Sequence, residues 1–151
     1  MNNTNTILNF HQISDRISIG GQPTINQFQL LKENGNDVVF QLLVREASYP
    51  IKNETFYVNR LGLEYKTMDI SFIEPNEHNV QTFFEVMDDY SDKTIFVHCA
   101  VGYCTSGLTV MYLMQRQGMT YEQAKSKIGD WEPNPAWKKL IQDVTGHIYA
   151  T

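Results

Sequence analysis

The chain has 151 residues, of which 42% are apolar and 19% charged, and its formal net charge is −5. This size and composition indicate one globular domain over residues 1–151, and we expect residues 1–10 to form a flexible N-terminal segment. The acidic balance, with no basic run, argues against nucleic acid as a partner, and no apolar run is long enough to cross a bilayer, so we expect a cytoplasmic protein without a membrane partner.

The first part of the chain predicts a strand, a helix and a second strand. Ile17–Gly20 is a short apolar strand that stops at a glycine pair. Thr24 and Gln27 have the spacing of a capping box, which predicts a helix that ends near Gly35. Val38–Val44 is almost continuously apolar, as in an interior strand that is covered on both faces.

The middle of the chain continues this alternation. Phe56–Leu61 predicts a short helix, and Glu64–Met68 predicts a strand. An amphipathic helix follows a turn at Ile73–Asn76, because four apolar residues recur at helical spacing: Val80, Phe83, Phe84 and Met87. Thr94–His98 then predicts a buried strand.

The last part of the chain is mainly helical. Leu108–Gln117 is apolar on most faces and predicts a central helix that ends at Gly118. Thr120 begins a second capping box, and Asn134 followed by a proline predicts the start of the last helix. The whole pattern favours an α/β fold with a central, mostly parallel sheet and helices on both faces.

The segment that carries chemistry is the loop between the buried strand and the central helix, residues 97–107, Val-His-Cys-Ala-Val-Gly-Tyr-Cys-Thr-Ser-Gly. A loop in this position directs backbone N–H groups and the positive end of a helix dipole into one concavity, which binds an oxyanion such as inorganic phosphate or sulfate. Such a nest favours the thiolate of Cys99 at its base and makes it a candidate nucleophile. The residues expected to bind phosphate are Ala100, Val101, Gly102, Tyr103, Cys104, Thr105 and Ser106.

This loop resembles that of the cysteine-dependent tyrosine and dual-specificity phosphatase superfamily, whose signature is His-Cys, five residues, Arg, then Ser or Thr. The residues that match it are His98, Cys99, Gly102 and Ser106. Thr105 stands where the arginine belongs. Some small bacterial members, related to beta-lactamase-hydrolase fusions, carry the arginine one place earlier, and there this chain has Cys104. The arginine is absent in either register. The sequence leaves the register open but favours Thr105, because Cys104 matches the second cysteine of low-molecular-weight tyrosine phosphatases, a resemblance that implies a redox role.

The opening of the chain is also similar to those bacterial domains, in Gly21–Pro23 and in Val38–Leu42, so that the resemblance covers Ile17–Ala124. It implies the phosphatase fold and hydrolysis of a phosphorylated protein or a small phosphoester through a phosphocysteine, with no cofactor or metal.

The resemblance also implies roles for individual side chains. Asp69 lies thirty residues before Cys99, just past a predicted strand end, and is the candidate general acid, with Glu74 in reserve. Ser106 would stabilise the departing thiolate, and His98 would brace the loop.

Two further functions compete with a phosphatase, because the missing arginine would weaken or abolish turnover. One is a pseudophosphatase that binds phosphorylated partners. The other is a thiol protein, either a redox sensor through Cys99 and Cys104 or a sulfurtransferase, although the chain lacks the Asp-x-Arg element of the latter. Arg45 is expected to be a surface charge, with a second interpretation in which it faces the site, because it follows a strand's carboxyl end.

Overall fold

The computed structural model describes residues 4–49 and 51–149. Within these residues, five β-strands and six α-helices follow a 3₁₀ turn at Thr4–Thr6. The strands are β1 (His11–Gln12), β2 (Ile17–Gly20), β3 (Val38–Val44), β4 (Glu64–Ile70) and β5 (Ile95–His98). The helices are α1 (Ile25–Glu33), α2 (Glu54–Arg60), α3 (Glu77–Asp89), α4 (Tyr103–Gln117), α5 (Tyr121–Lys125) and α6 (Pro135–Thr145).

The strands form one sheet in the order β1-β2-β5-β3-β4. β1 runs antiparallel to β2, and the other neighbouring pairs are parallel. His98, the last residue of β5, lies between Gly20 of β2 and Gln41 of β3. The carboxyl ends of three adjacent strands therefore meet where β5 gives way to the Cys99 loop.

Helices cover both faces of the sheet. On one face, the core includes residues of α3, α4 and α6, among them Phe83, Leu108 and Trp137. On the other, a smaller cluster joins Phe28 of α1 and Val58 of α2 to sheet residues. The predicted α/β architecture, with a mostly parallel sheet between helical layers, is confirmed.

Local signals placed most helix starts correctly. The capping boxes at Thr24 and Thr120 are both formed, and Asn134 accepts a hydrogen bond from the backbone of Trp137 at the start of α6. The central helix, however, begins at Tyr103, five residues before the predicted start. Residues 103–106 are therefore the first turn of α4, so the orientation of their side chains is fixed by the helix.

The short helix expected over Phe56–Leu61 runs over Glu54–Arg60. Two other segments also differ from expectation. β4 runs on to Ile70, which is 2% exposed and is paired with Val44, so Asp69 lies inside the strand and not beyond it. The expected flexible segment at residues 1–10 is packed on the domain from its fourth residue, with Thr4 and Ile7 each 2% exposed; residues 1–3 lie outside the described residues. No helix in the described part of the chain combines the length and apolar character needed to span a membrane.

Candidate functional site

Cys99 directly follows β5 and is 1% exposed. The backbone N–H of Gly102 donates a hydrogen bond to Cys99 Sγ over 3.2 Å. Gly102 has φ 89°, a left-handed conformation that costs a residue with a Cβ about 1–2 kcal/mol. The loop can thus turn back over the sulfur because a glycine stands at this position.

The carbonyl groups of the loop are held away from the sulfur. The backbone N–H of Gln22 donates to the carbonyl of Ala100 over 3.0 Å, and Asn9 Nδ2 donates to the carbonyl of Val101 over 2.7 Å. In a trans peptide the N–H points opposite to the carbonyl, so these two bonds direct the N–H groups of Val101 and Gly102 inward. With the N-terminus of α4 beside them, these groups have the arrangement expected of an anion-binding nest.

A cavity of about 360 Å³ opens above Cys99. Its lining residues are Val44, Glu46, Ala47, Phe72, Cys99, Ala100, Val101, Tyr103 and Cys104. Of the two positions that could correspond to the family's arginine, Cys104 lines this cavity and Thr105 does not. Thr105 is fully buried, and its hydroxyl has no hydrogen-bond partner among the described residues. Ser106 lines a separate, smaller cavity with His11.

His98 belongs to a buried polar network beneath the loop. Its Nε2 lies 2.7 Å from a carboxylate oxygen of Glu54, and its Nδ1 lies 3.3 Å from the carbonyl oxygen of Cys99. Glu54 also accepts hydrogen bonds from the Gln22 side chain over 2.8 Å and from the Tyr65 hydroxyl over 3.1 Å. One carboxylate thus holds both His98 and Gln22, and each of these contacts the backbone of the nucleophile loop.

Glu46 lines the Cys99 cavity, and its carboxylate holds the segment that follows β4. Its carboxylate accepts hydrogen bonds from the Ser71 hydroxyl over 2.6 Å and from the backbone N–H of Phe72 over 2.7 Å. The Ser71 hydrogen bond, with the smaller contribution of the Phe72 bond, holds the pKa of Glu46 below its usual range. Glu46 is therefore an ionised carboxylate at neutral pH and a poor proton donor.

Two other titratable groups near the cavity are shifted towards their neutral forms. Burial raises the pKa of the Cys104 thiol, and the negative charges of Cys99 and Glu46 raise it further. Burial also raises the pKa of Tyr49 to about 12, although its hydroxyl accepts a hydrogen bond from the backbone N–H of Val44. Cys104 is consequently a neutral thiol beside the nest.

The structure does not bring the expected acid or the expected cation to Cys99. Asp69 is exposed in β4, between the buried Met68 and Ile70, because the strand continues past its predicted end. It lines a polar cavity that also contains Arg45 and Glu74. These three residues do not line the Cys99 cavity, so the general-acid role of Asp69, the reserve role of Glu74 and the compensating role of Arg45 receive no support from their positions.

Sequence reasoning missed Glu46 and Glu54. The strand-end argument that selected Arg45 applies equally to the next residue, and Glu46 could have been found that way. Glu54 had no comparable signal, because it is a first-turn helix residue and its carboxylate reaches His98 only through the packing of α2 against the sheet.

Known proteins resemble this chain in sequence and in structure. No protein-family model matches the sequence. The chain is 28% identical over 144 residues to the protein-tyrosine-phosphatase MKP1 of Arabidopsis thaliana, an alignment that covers 92% of the chain and 18% of that protein. It is 31% identical over 91 residues to dual specificity protein phosphatase 1 of the same plant, covering 53% of the chain and 45% of the relative. The chain thus spans less than half the length of either relative.

A solved structure matches over nearly the full length. The putative phosphatase (DUF442) from Shewanella putrefaciens CN-32 superposes with a TM-score of 0.84 and 27% sequence identity, covering 95% of both chains. Full-length structural similarity, together with the two sequence relatives and the His-Cys loop between β5 and α4, gives one consistent assignment. These similarities support a member of the superfamily of cysteine-dependent tyrosine and dual-specificity phosphatases.

Proposed function

We propose that this protein binds phosphoesters over Cys99 and hydrolyses them slowly through a phosphocysteine intermediate. The observation that carries the proposal is the hydrogen bond from the Gly102 N–H to Cys99 Sγ, within a loop whose carbonyls are tied outward. The same N–H groups that face the sulfur would receive the oxygens of a phosphoryl group.

The reaction would proceed in two displacements at phosphorus. The Cys99 thiolate attacks, the S–P bond forms, and the ester P–O bond breaks with its electron pair going to the leaving oxygen, which takes a proton from solvent. A water oxygen then attacks phosphorus, the S–P bond breaks, and phosphate leaves as the thiolate is restored. Glu46, the one carboxylate among the described residues that line the cavity, is already ionised and is suited to accept a proton from that water and not to supply one earlier.

Slow turnover follows from what this cavity lacks. A positioned arginine in phosphoryl transfer is worth about 10³ to 10⁵ in rate. A general acid is worth about 10² to 10⁴. None of the residues that line the described cavity supplies either group.

A second candidate is a binding module of the same fold that holds phosphoesters without hydrolysing them. It is favoured by the charge of the cavity lining: apart from the Cys99 thiol, the only charged group among the described lining residues is the carboxylate of Glu46, so transition-state charge would be poorly stabilised. The two candidates share the nest and differ only in turnover.

Turnover of a small aryl phosphate, measured against two matched variants, separates these candidates. Under the first proposal, Cys99→Ser abolishes phosphate release and Cys104→Ser leaves most of it, because only Cys99 receives the Gly102 N–H. Acid quenching of the wild-type reaction should trap a phosphorylated Cys99 peptide, detected by mass spectrometry.

The binding module is tested by alkylation. If turnover is absent but inorganic phosphate slows the reaction of Cys99 with iodoacetamide, the second candidate replaces the first. An absence of both turnover and protection would refute both.

A further inference from the structure

The Cys99 cavity has an unusual distribution of charge for a site that should bind a dianion. Its floor consists of backbone N–H groups at the start of α4, which favour an anion. Apart from the nucleophile Cys99, Glu46 is the only acidic or basic side chain among the described residues that line it, and its charge is negative. The cavity therefore offers an anion site and, on a separate wall, a carboxylate without a cation between them.

The Glu46 carboxylate is fixed in this position and remains available. The hydrogen bonds from Ser71 and Phe72 occupy one acceptor position on each oxygen, and a carboxylate oxygen can accept a second. Glu46 is exposed to solvent, so a ligand can reach it. A hydrogen bond between a ligand cation and this carboxylate would need no rearrangement of the wall.

Cys104, at one of the two positions that could correspond to the family's arginine, borders the same cavity as Glu46. Both residues line the cavity, and the charge of Glu46 acts on the Cys104 thiol. A cationic group here would contact the carboxylate on one side and a phosphoryl group in the nest on the other. Arg45, the nearest arginine in sequence, lines the other cavity with Asp69 and does not supply it.

The aromatic side chains of this wall also suit a cation. The rings of Phe72 and Tyr103 both line the cavity, and their centroids lie 5.0 Å apart in an edge-on arrangement. A cation is attracted to the face of an aromatic ring, most strongly where water is excluded. The wall beside the nest thus combines a carboxylate with two aromatic rings.

We propose that the preferred ligand is a phosphoester that carries its own cation, an ammonium or guanidinium group one aryl or short alkyl length from the phosphoryl group. The phosphoryl group occupies the nest above Cys99 and the cation lies against Glu46, so the ligand brings the positive charge that the loop lacks. This inference rests on the proposed function, because it assumes that the nest holds a phosphoryl group.

The test compares two esters that differ only in the cation, phenyl phosphate and 4-(aminomethyl)phenyl phosphate. Binding is measured by isothermal titration calorimetry at pH 7 on the full chain carrying Cys99→Ser, which prevents turnover. We expect the aminomethyl ester to bind at least fivefold more tightly at low ionic strength. The preference should shrink in 0.5 M NaCl, because the Glu46 side of the cavity is open to solvent and salt screens exposed charges.

Three variants in the same background assign the preference to Glu46. Glu46→Gln keeps a side chain able to hydrogen-bond Ser71 and Phe72 but removes the charge, and the preference should fall below twofold. Ser71→Ala loosens the segment and keeps the charge, so the preference should remain. Glu85→Gln removes an exposed carboxylate on α3, away from the described cavities, and should change nothing.

The outcomes separate this inference from the proposed function. Equal affinity for the two esters, or a preference that survives Glu46→Gln, overturns the inference and leaves phosphoester binding intact. If neither ester nor inorganic phosphate binds, the proposed function fails as well. Should Glu46→Gln prove unfolded by circular dichroism, the Cys99→Ser chain alone still decides the question, because equal affinity for the two esters, or a preference that 0.5 M NaCl does not reduce, overturns the inference.

Discussion

Glu54 and His98 are joined by a 2.7 Å contact between the carboxylate and Nε2, with side chains that are 4% and 0% exposed. The pair links α2 to the last residue of β5, directly before Cys99. A buried charged group is tolerated only when its hydrogen bonds are satisfied, and Glu54 meets this condition through His98, Gln22 and Tyr65. The nucleophile loop is thus supported from beneath by one carboxylate.

Removal of this carboxylate should be strongly destabilising. Glu54→Ala leaves the fully buried His98 Nε2 without its partner and removes one of two acceptors from each of the Gln22 and Tyr65 side chains. We expect the free energy of unfolding to fall by about 3–5 kcal/mol. Glu54→Gln, which keeps one acceptor oxygen, should lose less. Urea denaturation followed by circular dichroism measures both, with the exposed Glu122→Gln as the control. A loss below 1 kcal/mol in Glu54→Ala would show that the network contributes little.

Restoring a guanidinium should raise turnover at only one of the two candidate positions, Cys104 and not Thr105. Cys104→Arg places the new side chain in the Cys99 cavity beside Glu46, so turnover of a small aryl phosphate should rise at least tenfold, equivalent to about 1.4 kcal/mol of transition-state stabilisation. Thr105→Arg instead buries an unpaired charge in the core and should cost at least about 3 kcal/mol in stability.

The gain in Cys104→Arg must depend on the nucleophile. Adding Cys99→Ser to this variant should return turnover to the background. If a folded Cys104→Arg protein binds phosphate without any gain, the binding module becomes the better description of this domain.

The hydrogen bonds of Glu46 should make the segment after β4 sensitive to acid. Because the pKa of Glu46 is lowered in the folded protein, its stabilising contribution is complete above the ordinary pKa of a glutamate, about 4.3, and is lost as the pH falls through the lowered value. The protection factor of the Phe72 amide, measured by NMR hydrogen exchange, should therefore hold from pH 7 to about 5 and drop towards pH 3. In Glu46→Gln the protection should not vary with pH, and the same flat profile in the wild type would contradict this account.

Mild peroxide should join Cys99 to Cys104, since both free thiols border the same cavity. Oxidation of Cys99 to a sulfenic acid, followed by attack of the Cys104 thiol with release of water, forms the disulfide and lowers the mass by two hydrogens. Intact-mass spectrometry detects this, and dithiothreitol should reverse it. Cys104→Ser should instead gain oxygen irreversibly at Cys99; a gain of oxygen in the wild type with no disulfide would count against the redox pairing.

The sequence predicted the backbone structure of the site better than the positions of its side chains. The strand before Cys99, the glycine at 102 and the capping residues Thr24 and Thr120 are local features, and each follows from hydrophobic pattern or conformational preference. The central position of β5 also followed, because its apolar run from Ile95 to Val97 must be covered on both faces.

The positions and contacts of the side chains across the site could not be predicted in the same way. The placement of Asp69 depends on where β4 ends, and the strand runs two residues past its predicted end at Met68, which keeps Asp69 within the sheet. Cys104 and Thr105 are neighbours in sequence, yet one helical step separates a cavity wall from the core. Glu54 meets His98 across 44 residues, a pairing that no local pattern records.

The hydrogen bond from Asn9 to the Val101 carbonyl also has a consequence for the order of folding. The two residues are 92 positions apart, and Asn9 holds the left-handed φ of 51° in this contact. Contacts between residues far apart in sequence require closure of a large loop and tend to form slowly. On the ribosome, Asn9 is made long before Val101 exists, so the nucleophile loop can reach its final shape only after most of the chain has emerged.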